Sequence, residues 1–192
     1  MRKIPEDYDN IFDNYLIRLC DILSPYAFSL GLTPNAITTL SNIMCIISII
    51  FILKGKYYLG ALFLLISYYF DCMDGHMARK YDMVTVFGDY YDHISDITKI
   101  IAVLITLLYI NSSKFLKVLP IIIILAVLMT VHLGCQELLY NTNESETLSL
   151  TKKFCLVNNS SNSIEVKSRL FFTRFFGCGT FYLGLLLIII FY

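Results

Sequence analysis

Four aspartates, Asp71, Asp74, Asp92 and Asp96, sit in or at the ends of long apolar runs. A charge carried into hydrocarbon costs at least a few kcal/mol and usually marks function. Asp71 and Asp74 are three apart and Asp92 and Asp96 four apart, so each pair shares one face of a helix. The fourteen residues 57–70 cover about 21 Å of a hydrocarbon core about 30 Å thick. Asp71 is therefore expected in one outer third of the bilayer. The fourteen residues 97–110 bring Asp96 to nearly the same depth from the opposite chain direction. Four carboxylates at one level would repel one another, whereas one or two hard divalent cations would neutralise them and take their oxygens as ligands. No cysteine or histidine cluster accompanies them, which disfavours zinc and fits magnesium or manganese. Beside them, Gly75 and Gly88 admit close approach of a ligand or of a neighbouring helix. Arg79 offers a planar guanidinium suited to phosphate oxygens, or it serves with Lys80 as a membrane-edge anchor.

Helices must position these groups. Five apolar stretches, 35–53, 57–78, 88–110, 115–140 and 170–192, have the length of spanning helices. Ahead of them Tyr8, Ile11, Phe12, Tyr15, Leu16, Leu19, Ile22 and Leu23 recur at spacings of three and four, opposite Asp9, Asp13, Asn14, Arg18 and Asp21. That pattern predicts an amphipathic helix on the membrane surface, started by Pro5 with Glu6 and Asp7 in its first turn. Gly31 and Pro34 mark a break, with Thr33 or Asn35 capping the first span. The expected fold is an all-α integral membrane protein: an interfacial amphipathic helix in residues 1–31, then a transmembrane domain in 32–192 built as a bundle of five helices, a sixth being left open.

Composition agrees: 57% of the 192 residues are hydrophobic and 16% charged, with mean hydropathy +0.66. A formal net charge of zero leaves no electrostatic footprint for nucleic acid. The N-terminal MRKIPEDYDN lacks the apolar core of a signal peptide, so insertion is expected to rely on the spans. Six scattered cysteines without CxxC spacing indicate neither a zinc site nor a disulfide framework. The polar segment 141–169 carries sequons at Asn143, Asn158 and Asn159. Arg2, Lys3, Arg18, Arg79, Lys80, Lys152, Lys153, Lys167 and Arg169 gather on one face, against Lys54, Lys56, Lys114 and Lys117 on the other. The first face is expected to be cytoplasmic, which puts the sequons on the wrong side for glycosylation.

The run DCMDGHMARKYDMVTVFGDYYDHISD resembles the signature of the CDP-alcohol phosphotransferase family, Asp-x2-Asp-Gly-x2-Ala-Arg-x8-Gly-x3-Asp-x3-Asp. Asp71, Asp74, Gly75, Ala78, Arg79, Gly88, Asp92 and Asp96 match every defined position. LTPNAITTL also resembles the Thr-Pro-Asn segment that opens the first span in many members, so the similarity covers about residues 32–96. The resemblance implies transfer of a phosphoalcohol or phosphatidyl group from a CDP-linked donor to a lipid or polar alcohol acceptor, with release of CMP. It implies two metal ions, Mg2+ or Mn2+, on Asp71, Asp74 and Asp92, with Asp96 contributing and acting as general base. Gly75, Ala78, Arg79 and Gly88 would form the CDP side of the site. A homodimer is implied in the same way. The endoplasmic reticulum is expected if the source is eukaryotic and the plasma membrane if it is prokaryotic.

Members generally have six spans after the interfacial helix, against the five counted here. Either the last is absent or residues 168–192 fold as two short segments hinged at 177–179, the second too short to span. Asp92 with His93 looks more like choline and ethanolamine phosphotransferases, and DGHMARKY more like phosphatidylinositol synthases. His132 and Gln136, four apart with Glu137 following, either face an acceptor or make a helix-packing hydrogen bond, the latter being favoured. Arg174 is expected to snorkel to the cytoplasmic face rather than bind phosphate. A divalent-cation transporter also needs buried acids, but its sites usually lie near the midplane between repeated halves. Here the acids are off centre and no internal repeat is visible. A catalytically silent, shortened relative is the other alternative, against which the intact acids argue.

Overall fold

A computed structural model describes residues 4–140, 148–155, 157 and 163–192, and every regular element among them is helical. The sequons at Asn143, Asn158 and Asn159 lie outside the described residues.

The surface helix starts later than expected. Residues 6–9 form a turn and a bend, and α1 (Ile11–Ser29) begins after Asn10, whose side chain accepts a hydrogen bond from the Phe12 amide at 3.1 Å. Asn10 wins over Pro5 because its short amide satisfies an open N–H of the first turn. The same side chain also donates to Arg174 O at 2.6 Å and to Thr180 Oγ1 at 2.9 Å. Ile11, Tyr15, Leu19, Ile22 and Tyr26 remain exposed, an apolar strip suited to a lipid surface. The face packed on the protein holds Asp13, Cys20, Ser24 and Ala27, so Asp13 is buried although the pattern put it on the polar face. Small side chains on that face let α1 lie close to α3.

The bundle follows as α2 (Pro34–Leu53), α3 (Tyr57–Lys80), α4 (Val86–Ile110) and α5 (Ser112–Tyr140). Thr33, rather than Asn35, caps α2 by accepting from the Ala36 amide at 3.3 Å, with Pro34 opening the helix. The α2–α3 contact is the most extensive in the molecule. Small and hydroxylated residues allow it, since they bring backbones together and hydrogen-bond across the gap. Ser41 and Ser67 each donate to the other's carbonyl at 2.8 Å, and Ser48 Oγ donates to Gly60 O at 2.7 Å. On α4, Thr85 caps the first turn through the Gly88 amide at 3.0 Å. Asn42 Nδ2 donates to Ser95 Oγ at 3.0 Å and Tyr91 OH lies 3.0 Å from Thr39 Oγ1, fixing α4 against α2.

A 3-10 helix (Leu148–Phe154) packs on α5, followed by α6 (Ser163–Thr173), a short 3-10 turn (Arg174–Phe176) and α7 (Cys178–Ile190). The expected continuous span 170–192 is therefore broken, as in the hinged alternative. At Gly177 the chain is extended before α7 begins. The break coincides with the hydrogen bond from Asn10 to Arg174 O, which turns that carbonyl toward α1. Among the described residues, four stretches are long and apolar enough to cross a membrane: α2, α4, residues 112–139 and residues 164–190. The 24 residues of α3 match them in length, but Asp71, Asp74, Arg79 and Lys80 load its C-terminal part.

The cysteine expectation needs correction. Cys135 and Cys155 form a disulfide between α5 and the 3-10 helix, with Cα atoms 4.7 Å apart. Twenty residues separate them in sequence, and only the folding of the 3-10 helix back along α5 brings them together. Gly134 permits that approach, since a Cβ there would stand 2.3 Å from Thr151 O. Cys20, Cys45, Cys72 and Cys178 are free, the first two buried.

Candidate active site

The helical spacings carry through to space. Asp71 and Asp74 from α3 meet Asp92 from α4, and one oxygen of each lies within 4.8 Å of the others. Asp74 is 3% exposed and is aimed by Thr38 of α2, whose Oγ1 donates to Asp74 Oδ2 at 2.6 Å. Asp92 Oδ1 is buried with no hydrogen-bond partner. A buried carboxylate oxygen left open beside two others suits a hard cation, since leaving it unsatisfied is costly. Among the described residues no histidine or cysteine atom joins the three, so this donor set is all oxygen and fits magnesium or manganese better than zinc.

Asp96 is placed differently. It is not one of the three oxygens grouped there; it is one third exposed, with Oδ1 3.0 Å from Lys99 Nζ. Lys99 is 5% exposed; its ammonium also donates to Asp71 Oδ1 and, at 2.9 Å, to Ser41 Oγ. A buried lysine is tolerable here because its charge meets two carboxylates.

One cavity of about 260 Å3 takes in the triad, and every expected site residue except Asp96 lines it. Gly75 leaves room for Arg79 to fold back along α3: a Cβ at Gly75 would stand 3.3 Å from Arg79 Nη1. Gly88 serves both readings left open for it. It lines the cavity, and a Cβ there would come within 2.9 Å of Thr85 Oγ1 and 3.1 Å of Asn35 Oδ1 where α4 starts beside α2. Ala78 completes the α3 wall. His93 lines the far side with Nδ1 2.7 Å from Asp89 O.

Of the α5 residues, Gln136 reaches the cavity wall, whereas His132 is 1% exposed and packs helices. Its ring nitrogens lie 3.0 Å from Thr173 Oγ1 and 2.7 Å from Gln136 Nε2. Glu137 is buried outside the cavity lining. Arg174 donates to Asp7 O at 2.7 Å and lies over the Phe171 and Phe175 rings, away from the cavity.

Thr38, Ser41 and Lys99 escaped the sequence reading. Lys99 had a signal: it follows Asp96 by three residues inside an apolar run, where a lone ammonium has to meet acids. The hydroxyls of α2 had none, because nothing in their spacing says which helix they face.

The family model for CDP-alcohol phosphatidyltransferase matches residues 31–155, which include α2 to α5 and the whole aspartate constellation. No curated protein and no solved structure matches the chain.

Proposed function

Because the chain belongs to the CDP-alcohol phosphatidyltransferase family, whose members transfer substituted phosphate groups, we propose that it is a metal-dependent membrane enzyme of phospholipid synthesis. A CDP-linked donor gives its phosphoalcohol or phosphatidyl group to a hydroxyl acceptor. The acceptor oxygen bonds to the donor phosphorus, the phosphorus–oxygen bond to the CMP phosphate breaks, and CMP leaves.

The convergence of Asp71, Asp74 and Asp92 in a cavity shared with Arg79 supports this reading best. A magnesium or manganese ion held by that triad would neutralise the donor diphosphate and fix its position. Arg79 adds a guanidinium for phosphate oxygens. Gly75, Ala78 and Gly88 leave the cavity wall bare of bulk where the nucleotide must lie. Asp96, one third exposed at the flank of the site, takes the proton of the acceptor hydroxyl. Its contact with Lys99 fixes the carboxylate while leaving part of it accessible.

The donor class is read directly by CMP release from purified protein with magnesium or manganese. One set supplies CDP-choline or CDP-ethanolamine with diacylglycerol; the other supplies CDP-diacylglycerol with inositol or glycerol 3-phosphate. Release in one set is expected, and Asp96→Asn is expected to abolish turnover while sparing much of the metal binding. Near-normal turnover in Asp96→Asn would remove the general-base role. Silence in every set from folded, metal-bound protein would favour the catalytically silent relative, and cation flux in liposomes would favour the transporter.

A further inference from the structure

Lys99 divides the four aspartates into two unequal groups. Asp71, Asp74 and Asp92 offer one cation position, with carboxylate oxygens within 4.8 Å of one another. Asp96 is left out of it and faces an ammonium that the chain itself supplies, as does Asp71 Oδ1. That ammonium donates hydrogen bonds to Asp71 Oδ1 and Ser41 Oγ and forms an ion pair with Asp96 Oδ1 at 3.0 Å. The serine is itself committed, since its hydroxyl donates to Ser67 O at 2.8 Å across the α2–α3 contact. Lys99 is thus bonded in place at a helix interface, 5% exposed, rather than resting loosely near acids.

From this arrangement we infer that the site takes a single divalent cation, on Asp71, Asp74 and Asp92, and that Lys99 occupies the place of a second between Asp71 and Asp96. The physical ground is competition. A second ion would need the oxygens Lys99 already holds, and a dication close to a buried ammonium is strongly repelled in a low-dielectric site. Expelling the lysine would break two hydrogen bonds and an ion pair and strand its charge in the bundle. The chain thereby differs from the two-ion site that its resemblance implies. Lys99 acts as a positioning residue as well, since the charge that excludes the ion also sets the direction of Asp96. The inference rests on the metal-dependent reading of the site given above.

The number of Mn2+ ions bound per chain tests it, by equilibrium binding and electron paramagnetic resonance on the full-length protein in lipid nanodiscs. One Mn2+ is expected for the wild type and for Lys99→Arg, with no spin coupling between ions. Lys99→Gln, which drops the charge and keeps hydrogen-bonding capacity, is expected to double the stoichiometry and to show a coupled pair. The double variant Lys99→Gln/Asp96→Asn should return to one. Two ions in the wild type, or one in a folded Lys99→Gln, would overturn the inference. If Lys99→Gln does not fold, the wild-type count decides alone. No bound ion in the wild type overturns it also, and CMP release from the same preparation then tells separately whether the transferase reading stands.

Discussion

At the scale of single residues, a threonine hydroxyl decides how Asp74 presents its oxygens. Thr38 Oγ1 donates to Asp74 Oδ2 at 2.6 Å from a neighbouring helix, leaving the other oxygen free to turn toward Asp71 and Asp92. Such outer contacts are commonly worth roughly 10–100-fold in metal affinity. Thr38→Val keeps the shape and removes the donor. Mn2+ titration should show affinity weakened within that range while the protein still folds; unchanged affinity would mean that helix packing alone orients Asp74. The aspartates themselves could be read from spacing, because three and four residues along a helix put side chains on one face. Which oxygen each would present could not, since that depends on hydroxyls arriving from α2.

At the scale of elements, α1 is clamped to the bundle by one buried carboxyl. Asp13 accepts from Tyr68 OH at 2.5 Å and from the Gly179 amide at 3.1 Å. A Cβ at Gly179 would lie 2.4 Å from Asp13 Oδ1, so the α7 start can come this near only as glycine. Burial pushes the Asp13 carboxyl up from 3.8 to about 7, with the Tyr68 hydrogen bond opposing and Asp9 adding to the rise. The folded state therefore holds the proton more tightly than the unfolded chain. The stabilisation from this group is complete below 3.8, declines as pH rises and is gone above about 7. Thermal melts in detergent should fall across that window, and Asp13→Asn should flatten the slope. A slope unchanged in Asp13→Asn would assign the titration to another group. The helical period that made α1 legible put Asp13 on its polar face; burial followed from α7 arriving on the same side.

At the scale of the whole molecule, sidedness and cysteine chemistry meet at the end of α5. The lysine and arginine asymmetry predicts a cytoplasmic position for the segment after α5, and there the thiol pool would keep cysteines reduced. Cys135 and Cys155, bridged in the structure, should then be two thiols in native membranes. Maleimide labelling after denaturation without reductant should modify both; protection of the pair until reductant is added would reverse the orientation. Sequence alone determined the positions of α2 to α5 to within three residues at each end. Continuous apolar runs of spanning length leave the backbone no alternative to a helix in hydrocarbon. Helix rise, which converts residue count into depth, predicts from the sequence that Asp71, Asp74, Asp92 and Asp96 share a level, and the structure groups the first three. Only the tertiary structure decided the partners of Lys99, the burial of Asp13, the break before α7 and the joining of Cys135 to Cys155. Each of these depends on which faces of separate helices meet, and a one-dimensional period describes a face without naming its neighbour.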